Sequence, residues 1–415
     1  MGAMPNSFTR LSPRAIVLLA LVVGTLAKLW LAGTSIGSND LLVFRWFAQY
    51  IDSEGLAGMY RHTALFNHTP LTSAYMVGVL KLSGGEVSAF AFWFRFGGIL
   101  ADVTVVLGLL RVVRNGVQIP TWALALFAVS PVSIMVSGFH GNIDSMLVAA
   151  LFFTVLALSE KRWLLAGLAL ALACNLKVSP LLVVPGLGLW ALAQSPRGAA
   201  VFAGSAMVAT LVGWSFPLMV CPKEFLTNVL GYGGFWGIWG FTSVLRDTGL
   251  PDFSRVSFIN LTAAQVLVAK VLKGIVVVST LGLAWVRRKQ DVFATVGAVW
   301  LVFLVFAPGV AAQYLVWPAP FLLLLSARGF AFVTLGCSVF LAAFYTALCK
   351  GWPWILGVSN AETTPHWLPW TYVAWVPCVV WWVVGVTLCA RRCRGSVASE
   401  KGAGWGTSAE MMGSK

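Results

Sequence analysis

The chain has 415 residues, of which 59% are hydrophobic and 10% are charged, and its mean hydropathy is +0.85. Soluble domains carry roughly 45–50% apolar and about 25% charged residues, so this composition excludes a soluble protein and indicates a polytopic membrane protein. The net charge of +14 gives no evidence for nucleic-acid binding, because no basic patch is interleaved with aromatic residues in the pattern that such proteins use.

The apolar runs of the sequence predict an all-α fold with about 12 spanning helices. Several runs are shorter than the ~20 residues needed to cross ~30 Å of hydrocarbon, so roughly ten to thirteen spans fit the pattern. The first run lacks a small-residue cleavage site and is followed by many others, which indicates a retained helix rather than a signal peptide. The predicted spans are 15–33, 89–110, 119–137, 144–158, 163–175, 178–194, 199–220, 264–286, 292–307, 314–326, 330–348 and 371–390.

Lysine and arginine set the predicted orientation, because cytoplasmic loops carry an excess of both. Basic residues fall on alternate connections, which places both termini in the cytoplasm and the long connections 34–88, 221–263 and 349–370 on the extracytoplasmic face. Residues 1–394 are then one transmembrane domain, and the Gly/Ser-rich segment 395–415 is a disordered cytoplasmic tail. The basic connections contain Arg10, Arg14, Arg111, Arg114, Lys161, Arg162, Arg197, Arg287, Arg288, Lys289, Arg328, Arg391, Arg392 and Arg394.

Asp40 lies a few residues after the first span and opens an amphipathic stretch, in a chain where charge is scarce. The segments 40–51 and 70–82 are too short to span, so we predict helices that lie in the membrane interface. Asp52 and Glu54 lie beyond the amphipathic stretch and are interpreted as solvated residues. The carboxylate of Asp40, at the membrane surface beneath a long loop, is therefore the best indication of chemistry in the sequence.

Ionisable groups within or beside membrane spans are costly, so each needs a partner or a function. Arg95 and Asp102 lie two helical turns apart on one face and could pair with each other or with neighbours. Between two later spans, His140, Asn142 and Asp144 interrupt the apolar pattern. Asp144 could simply cap the next helix, or the turn could hold a phosphate or sugar hydroxyls at a helix N-terminus.

Three further features are candidates for substrate contact. Lys177 lies between two short spans and either extends to the interface or meets an anion. The loop 228–240 combines glycines with Tyr232, Trp236 and Trp239, a composition suited either to stacking on sugar faces or to packing in the interface. Gln313 begins a segment that resembles a helix facing a cavity.

A metal site is not expected. His62 and His68 are six residues apart on a predicted loop without a further ligand nearby. The seven cysteines, Cys174, Cys221, Cys337, Cys349, Cys378, Cys389 and Cys393, lack the short paired spacings of a zinc site and are interpreted as core residues. Cys221 and Cys349 lie near extracytoplasmic helix ends and could form a disulfide.

In chain order, these features resemble the GT-C superfamily of polytopic glycosyltransferases, which transfer a sugar from a polyprenyl-phosphate carrier. The resemblance covers about residues 10–350 and is greatest to bacterial mannosyltransferase-like members and to dolichol-dependent glucosyl- and mannosyltransferases. The matching features are Asp40, the Thr-Pro-Leu-Thr segment 69–72, the Arg-x6-Asp span of Arg95 and Asp102, the His-Gly-Asn-x-Asp turn 140–144, and Asn-x-Lys-x-x-Pro at 175–180.

The resemblance implies an inverting transfer of a hexose, mannose above all, to a hydroxyl of a lipid, glycan or protein acceptor at the extracytoplasmic face of a bacterial plasma membrane. Asp40 matches the catalytic base. The departing phosphate needs cationic or hydrogen-bonding groups, which assigns His140, Asn142, Asp144, Lys177, Arg95 and Gln313 to the donor. Tyr232, Trp236, Trp239 and His68 are assigned to acceptor or sugar stacking. Asn39 precedes Asp40, where some relatives have a second acid, which weakens the case for a bound divalent metal. No cofactor is expected.

Two alternative functions are compatible with the same composition. A transporter or lipid flippase would also have many spans and buried charges, although no internal repeat is visible in this sequence. A non-catalytic membrane scaffold would not bring Asp40 and the turn 140–144 together in one cavity.

Overall fold

The computed structural model describes residues 11–231, 234–257, 260–351 and 353–385. Within these ranges the chain is almost entirely helical. The predicted tail 395–415, the C-terminal part of the last predicted span, Cys389 and Cys393 lie outside the described residues.

The first half of the chain alternates long helices with short connections. A π-helical segment, Ile134–His140, follows α6 directly, and a 3₁₀ turn, Ser179–Leu182, precedes α9. The helices are α1 (Pro13–Thr34), α2 (Asn39–His62), α3 (Pro70–Leu82), α4 (Val87–Arg114), α5 (Thr121–Ala128), α6 (Pro131–Ser133), α7 (Asp144–Ser159), α8 (Trp163–Leu176) and α9 (Val184–Gln194).

The second half contains the remaining helices, a π-helical segment Leu226–Leu230 and 3₁₀ turns at Ala312–Val316 and Leu368–Trp370. A last apolar segment, Thr364–Gly385, begins with α17. The helices are α10 (Pro196–Val220), α11 (Pro222–Phe225), α12 (Gly240–Asp247), α13 (Ala263–Val286), α14 (Val292–Phe306), α15 (Ala319–Leu325), α16 (Ala327–Leu348) and α17 (Thr364–Trp367), and the strands are β1 (Gly37–Ser38) and β2 (Leu356–Gly357).

The predicted all-α, polytopic class is confirmed. Among the described residues, seven helical segments are long and apolar enough to cross a membrane, and four more apolar helices are shorter. The seven are Pro13–Thr34, Val87–Arg114, Thr121–His140, Pro196–Val220, Ala263–Val286, Ala327–Leu348 and Thr364–Gly385. The predicted span 178–194 is not one helix, because Pro180 and Pro185 lack the backbone N–H that a continuous helix needs.

Two of the shorter apolar helices, α7 and α14, lie inside the bundle. Residues of α7 and α14 are buried on nearly all sides, whereas α10 and α13 bury only a few of theirs. A helix that is apolar all round belongs in the core. Since neighbouring helices shield α7 and α14, these helices do not need the full length of a lipid-exposed span.

The two short helices predicted in the first connection are present. The helix α3 has the predicted bounds. The helix α2 runs past the predicted end at residue 51 to His62, and Gly55 introduces a kink with φ 78°. Both helices pack against each other and against α4.

The helices α4 and α7 pack together along much of their length and define two ends of the bundle. At one end Arg111, near the end of α4, forms two hydrogen bonds of 2.8 Å with Glu160, just after α7. Arg162 adds a further ion pair to Glu160 at 3.2 Å. The start of α7, with Asp144, lies at the other end. Basic residues of two connections therefore gather at the end opposite Asp144.

The described cysteines pack as the sequence predicts, and Cys221 and Cys349 are both free thiols. The alternative of a disulfide between these two residues is therefore not realised in this structure.

Candidate functional site

Asp40 is held by the short segment between α1 and α2. Gly37 and Ser38 pair in parallel with Leu356 and Gly357, and Ser38 is the N-cap residue of α2. Asp40 therefore lies in the first helical turn, where the backbone N–H groups and the helix dipole stabilise a negative charge.

His140 ends the π-helical segment, which turns sharply at Gly141 with φ 75°. Its ring nitrogen Nε2 lies 3.1 Å from Oδ2 of Asp40, although the two residues are separated by 100 positions in the chain. The hydroxyl of Ser38 donates a 2.8 Å hydrogen bond to the carbonyl of His140. A single turn of the first connection therefore contacts both the ring and the backbone of His140.

Asn142 completes the contact with Asp40. Its Nδ2 donates to Asp40 Oδ2 at 3.3 Å, and its Oδ1 accepts a 2.8 Å hydrogen bond from the N–H of Ile143. The other carboxylate oxygen of Asp40 receives no hydrogen bond from the described part of the chain, and the side chain is 35% exposed. One oxygen of Asp40 is thus oriented by protein groups and the other is free to bind a ligand.

The surroundings of Asp40 favour its ionised form. Burial raises the pKa of Asp40, but the hydrogen bond from His140 and the positive charges of His140 and Lys177 outweigh burial and hold the pKa below its usual value of 3.8. Burial, together with the charge of Lys177, lowers the pKa of His68 to about 3. His68 is therefore neutral at physiological pH, and Asp40 is a carboxylate.

A cavity of about 800 Å³ opens beside Asp40 and His140. We call it the first cavity. All three long connections contribute to its walls, together with α16 and the segment before the Ala312–Val316 turn. Its lining residues are Ser38, Asn39, Asp40, His140, Phe235, Ile238, Val256, Val310, Ala311, Ala312, Gln313, Phe340, Phe344, Leu348, Ser359, Asn360, Ala361, Thr364, Pro365, Trp367 and Leu368.

Asp144 does not cap α7 with its side chain. Ile143 is the N-cap residue, and the fully buried carboxylate of Asp144 forms an ion pair with Lys177 at 3.0 Å. Trp317 Nε1 donates a 2.5 Å hydrogen bond to the same carboxylate. The ammonium of Lys177 also lies 4.4 Å from the ring centroid of Tyr314, a cation–π geometry. Lys177 thus meets an anion and two aromatic rings.

The Thr-Pro-Leu-Thr segment fixes the position of Lys177. Thr69 Oγ1 donates to the carbonyl of Asn175, and Thr72 Oγ1 donates to the carbonyl of Leu176 at 2.7 Å. The last carbonyl groups of a helix have no partner within that helix. These two hydroxyls supply partners at the end of α8, directly before Lys177.

A second cavity of about 500 Å³, mainly apolar, lies beside Lys177. Its walls come from the 3₁₀ turn before α9, from α13 and α14, and from the segment 307–317. Lys273 of α13 is exposed on this wall and forms no ion pair within the described ranges. The remaining lining residues include Val178, Leu181, Leu182, Val229, Val276, Val277, Leu281, Trp300, Phe303, Tyr314 and Trp317.

The two cavities share a thin partition. Gly309 lines the second cavity and Val310 the first, and the same alternation holds for Gly234 and Phe235. A Cβ atom at Gly309 would come within 2.5 Å of the carbonyl oxygen of Phe235. The backbones of the two loops therefore touch, and each loop has residues in both the apolar second cavity and the first cavity that Asp40 lines.

Arg95 and Asp102 do not pair with each other. Asp102 instead pairs with Lys28 of α1 at 2.7 Å, which realises the alternative of a neighbouring partner. Arg95 is fully buried and does not line either cavity. All its hydrogen bonds to the described residues go to backbone or serine oxygens.

Among the described residues, the candidates for sugar or acceptor stacking, His68, Trp236 and Trp239, line neither cavity. Trp236 and Trp239 are buried, and their ring N–H groups donate to the carbonyls of Phe253 and Leu304. His68 is enclosed by Phe44, Phe47 and Phe66. From this loop, Phe235 and Ile238 reach the first cavity instead. Tyr232 lies outside the described residues.

The sequence did not predict the part played by Lys28, which pairs with Asp102, nor that of Lys273, Trp317 and Asn360, which line the cavities. Lys28 and Lys273 each stand out as a lysine within an apolar run, a signal that was available in the sequence. Trp317 and Asn360 have no such signal, because tryptophan is common in this chain and a single asparagine is ordinary in a loop. Among the described residues, no group of three or more His, Cys, Asp or Glu side chains could hold a metal ion.

Comparison with known families places this geometry in context. The family model described as glycosyltransferase family 87 matches residues 67–308, which is more than half of the chain. The chain belongs to glycosyltransferase family 87. This family is of the GT-C type of membrane glycosyltransferases, so the protein is a membrane glycosyltransferase that acts on a sugar donor and an acceptor. No curated protein matches the sequence.

The match to family 87 includes His140, Asn142, Asp144 and Lys177, whereas Asp40 and Gln313 lie outside the matched range. The proposed site role of Asp40 is therefore supported by the structure of this chain and not by the family match. Its 3.1 Å approach to His140 joins a residue before the matched range to a residue within it.

Proposed function

We propose that this family 87 protein is an inverting glycosyltransferase that moves a hexose, mannose in the first instance, from a polyprenyl-phosphate carrier to a hydroxyl acceptor, with Asp40 as the base. The carrying observation is the contact of Asp40 with His140 at the wall of a cavity of about 800 Å³. A cavity of this size is in the range of small-molecule sites. The choice of mannose rests on the sequence resemblance.

The proposed chemistry requires one proton transfer and one displacement. The acceptor hydroxyl oxygen attacks the anomeric carbon, and its proton passes to the carboxylate of Asp40. The bond between the anomeric carbon and the phosphate oxygen breaks with its electron pair, which leaves polyprenyl phosphate and inverts the anomeric configuration. A positioned base of this kind typically accelerates such a step by about 10²–10⁴-fold.

The second cavity accommodates the carrier lipid. Its walls are mainly aliphatic and aromatic, and Lys177 and Lys273 both line it, so it offers an apolar surface for an isoprenoid chain and positive charge for a phosphate. Lys273 is the better candidate for direct contact, because Lys177 already pairs with Asp144 at 3.0 Å. The sugar then lies at the partition, between the phosphate and Asp40.

The acceptor occupies the first cavity, where Gln313 and Asn360 supply polar groups beside the apolar side chains of Phe340 and Phe344. His140 and Asn142 orient the carboxylate of Asp40 towards the acceptor hydroxyl. A lipid-linked or membrane-bound acceptor suits a site with such a large apolar share of its wall.

The active site faces the extracytoplasmic side in this proposal, and both termini are cytoplasmic. Support comes from the ion pairs of Arg111 and Arg162 with Glu160, at the end of the bundle opposite Asp144. Connections rich in lysine and arginine stay in the cytoplasm. The opposite end, with Asp40 and the first cavity, then reaches the outer leaflet of the plasma membrane.

Product analysis tests the reaction directly. The purified chain in lipid nanodiscs is incubated with a panel of polyprenyl-phosphate monosaccharides and a membrane lipid extract, and products are identified by mass. We expect a product that is heavier by one hexose and carries the anomer opposite to that of the donor. A product with retained configuration, or transfer only from a nucleotide sugar, would contradict the proposal.

A lysine pair on α13 tests the lipid site. Lys273 lines the second cavity, whereas Lys270, one turn earlier on the same helix, is exposed and does not. We expect Lys273→Ala to raise the KM for the polyprenyl-phosphate donor by about 5–30-fold, the range of one charge-assisted hydrogen bond. Lys270→Ala is the matched control, and an equal effect of both substitutions would remove Lys273 from the donor site.

A further inference from the structure

The guanidinium of Arg95 joins two segments that are far apart in the chain. Its Nη2 donates to the carbonyls of Ala32 and Ser35, at 3.0 and 2.6 Å. Its Nη1 donates to the carbonyls of Gly138 and Phe139, at 3.1 and 3.2 Å, and to the hydroxyl of Ser35 at 2.9 Å. One side chain thus binds the end of α1 and the end of the π-helical segment.

These two segments lead to Asp40, the proposed catalytic base, and to His140, which contacts it. Ser35 leads through Gly37 and Ser38 to Asp40, and Phe139 directly precedes His140. The carbonyl groups at a helix end carry partial negative charge and have no partner within the helix. The ends of α1 and of the π-helical segment therefore compensate the charge of Arg95 without any carboxylate from the described residues.

We propose that Arg95 is a positioning residue that sets the distance between Asp40 and His140, and that it acts on catalysis through this pair rather than on the donor. This inference rests on the proposed function, since it assumes that Asp40 is the base. It also gives Arg95 a different part from the donor contact that the sequence indicates.

The packing around Gly37 supports the inference independently. Gly37 has φ +94°, and a Cβ atom there would lie 2.4 Å from the carbonyl oxygen of Phe139 and 3.2 Å from Nη1 of Arg95. The segment that leads to Asp40 therefore runs against both the guanidinium and the backbone that it binds. The segment before Asp40 therefore packs directly against the π-helical segment, with no room for a side chain at position 37.

Lysine cannot replace this arrangement. Arginine presents five N–H donors in a rigid plane, whereas lysine offers three donors on one point charge at the end of a flexible chain. Arg95 uses its Nε as well, for a 2.9 Å hydrogen bond to the carbonyl of Ala91 one turn earlier on α4. An Arg95→Lys variant keeps the charge but reaches only part of the two segments.

A double-mutant cycle between Arg95 and His140 tests the proposal. We expect Arg95→Lys to lower kcat by about 10–100-fold, because a displacement near 1 Å can cost about 100-fold, with the donor KM changed by less than about twofold. In a His140→Ala background the same substitution should change kcat by less than about threefold, since the pair is already broken.

Arg111→Lys is the matched control on the same helix. Arg111 also uses two guanidinium nitrogens, towards Glu160, and it lies sixteen residues further on, which is about 24 Å along α4. We expect its kcat to stay within about twofold of wild type. An equal loss of kcat for Arg95→Lys in both backgrounds, or a loss confined to donor KM, would overturn the proposal.

If Arg95→Lys does not fold, Ser35→Ala provides a milder test. It removes the hydroxyl that accepts from Nη1 and that donates to the carbonyl of Leu31, and leaves the other hydrogen bonds of Arg95 in place. We expect a kcat loss of about 3–10-fold that disappears in the His140→Ala background. The same loss in both backgrounds overturns the proposal. Full activity of Asp40→Asn would instead reject the proposed function itself, so the two failures are distinguishable.

Discussion

Two carboxylates of the bundle, Asp40 and Asp102, are surrounded in opposite ways. Asp102 Oδ2 accepts hydrogen bonds from Lys28 Nζ at 2.7 Å, from Ser133 at 2.7 Å and from Ser137 at 2.5 Å, and its side chain is 15% exposed. Asp40 accepts from a histidine and an amide on one oxygen, and its side chain is 35% exposed at a cavity.

The difference indicates what each carboxylate can do. A carboxylate that pairs with a buried lysine and accepts from two hydroxyls links the helices that carry them. A carboxylate that lines a cavity, and that contacts a histidine and an amide instead of a lysine, can receive a proton from a ligand. Under the proposed function, only Asp40 of these two carboxylates takes part in the reaction.

The largest expected effect is on transfer by Asp40→Asn. The amide keeps the shape of the side chain but cannot accept the proton of the acceptor hydroxyl, so we expect kcat to fall by about 10³-fold or more, with expression and donor affinity retained. Single-turnover assays with a labelled donor measure the loss. Activity within about tenfold of wild type would show that Asp40 is not the base, and the functional difference from Asp102 would be lost.

The next effect, on stability, belongs to Asp102→Asn. Removing one partner of a buried pair leaves Lys28, whose side chain is 6% exposed, without its counter-charge, at a typical cost of about 3–5 kcal/mol. We expect a lower thermal transition in detergent, and partial recovery in the double variant Lys28→Met with Asp102→Asn. A lower kcat with an unchanged thermal transition would show that this network serves the reaction instead.

A third test uses pH. Because His140 lowers the pKa of Asp40, a His140→Ala variant has a base that is protonated at higher pH. In the wild type, kcat/KM falls at the pH where Asp40 is protonated, which lies below 3.8. In His140→Ala this fall should occur at a higher pH.

The control for this test is His62→Ala, which removes a ring that stacks on Tyr50 and leaves Asp40 untouched. We expect the acidic limb of the control to stay in place. An unchanged limb in His140→Ala would mean that the contact between the two side chains does not govern proton transfer.

The smallest effect is expected at an exposed carboxylate. Asp52 lies on the same helix as Asp40 and pairs with Lys81 at 3.1 Å, but it is 45% exposed. Exposed pairs contribute about 0–1 kcal/mol, so Asp52→Asn should change neither kcat nor the thermal transition measurably. It serves as a matched helix control for Asp40→Asn.

The sequence predicted much of the secondary structure, because apolar runs and proline positions are local signals. The helix α3 matches its predicted bounds, and α2 begins next to its predicted start at residue 40. The sequence also places Asp40 and the turn 140–144 on one face of the protein, and in the structure His140 and Asn142 contact Asp40. Local signals thus predict the elements themselves.

The partners of the buried charges could not be read in the same way. Asp102 pairs with Lys28 and not with Arg95 because of the way α1 is rotated against α4. Residue spacing within one sequence does not reveal this rotation. Whether Trp236 or Phe235 reaches the first cavity depends on loop conformation in the same way. Such choices are made by tertiary packing.

The pairing of β1 with β2 has a mechanical consequence. The N–H groups of Ile36 and Gly37 donate to the carbonyl of Ile355 at 2.7 and 3.1 Å, so the connection that forms one wall of the first cavity is fastened to the segment ahead of Asp40. If that wall moves outward to admit a bulky substrate, either these hydrogen bonds break or the segment that carries Asp40 moves with the wall. Under the proposed function, substrate entry past this wall and the alignment of Asp40 for proton transfer are therefore coupled through the same two hydrogen bonds.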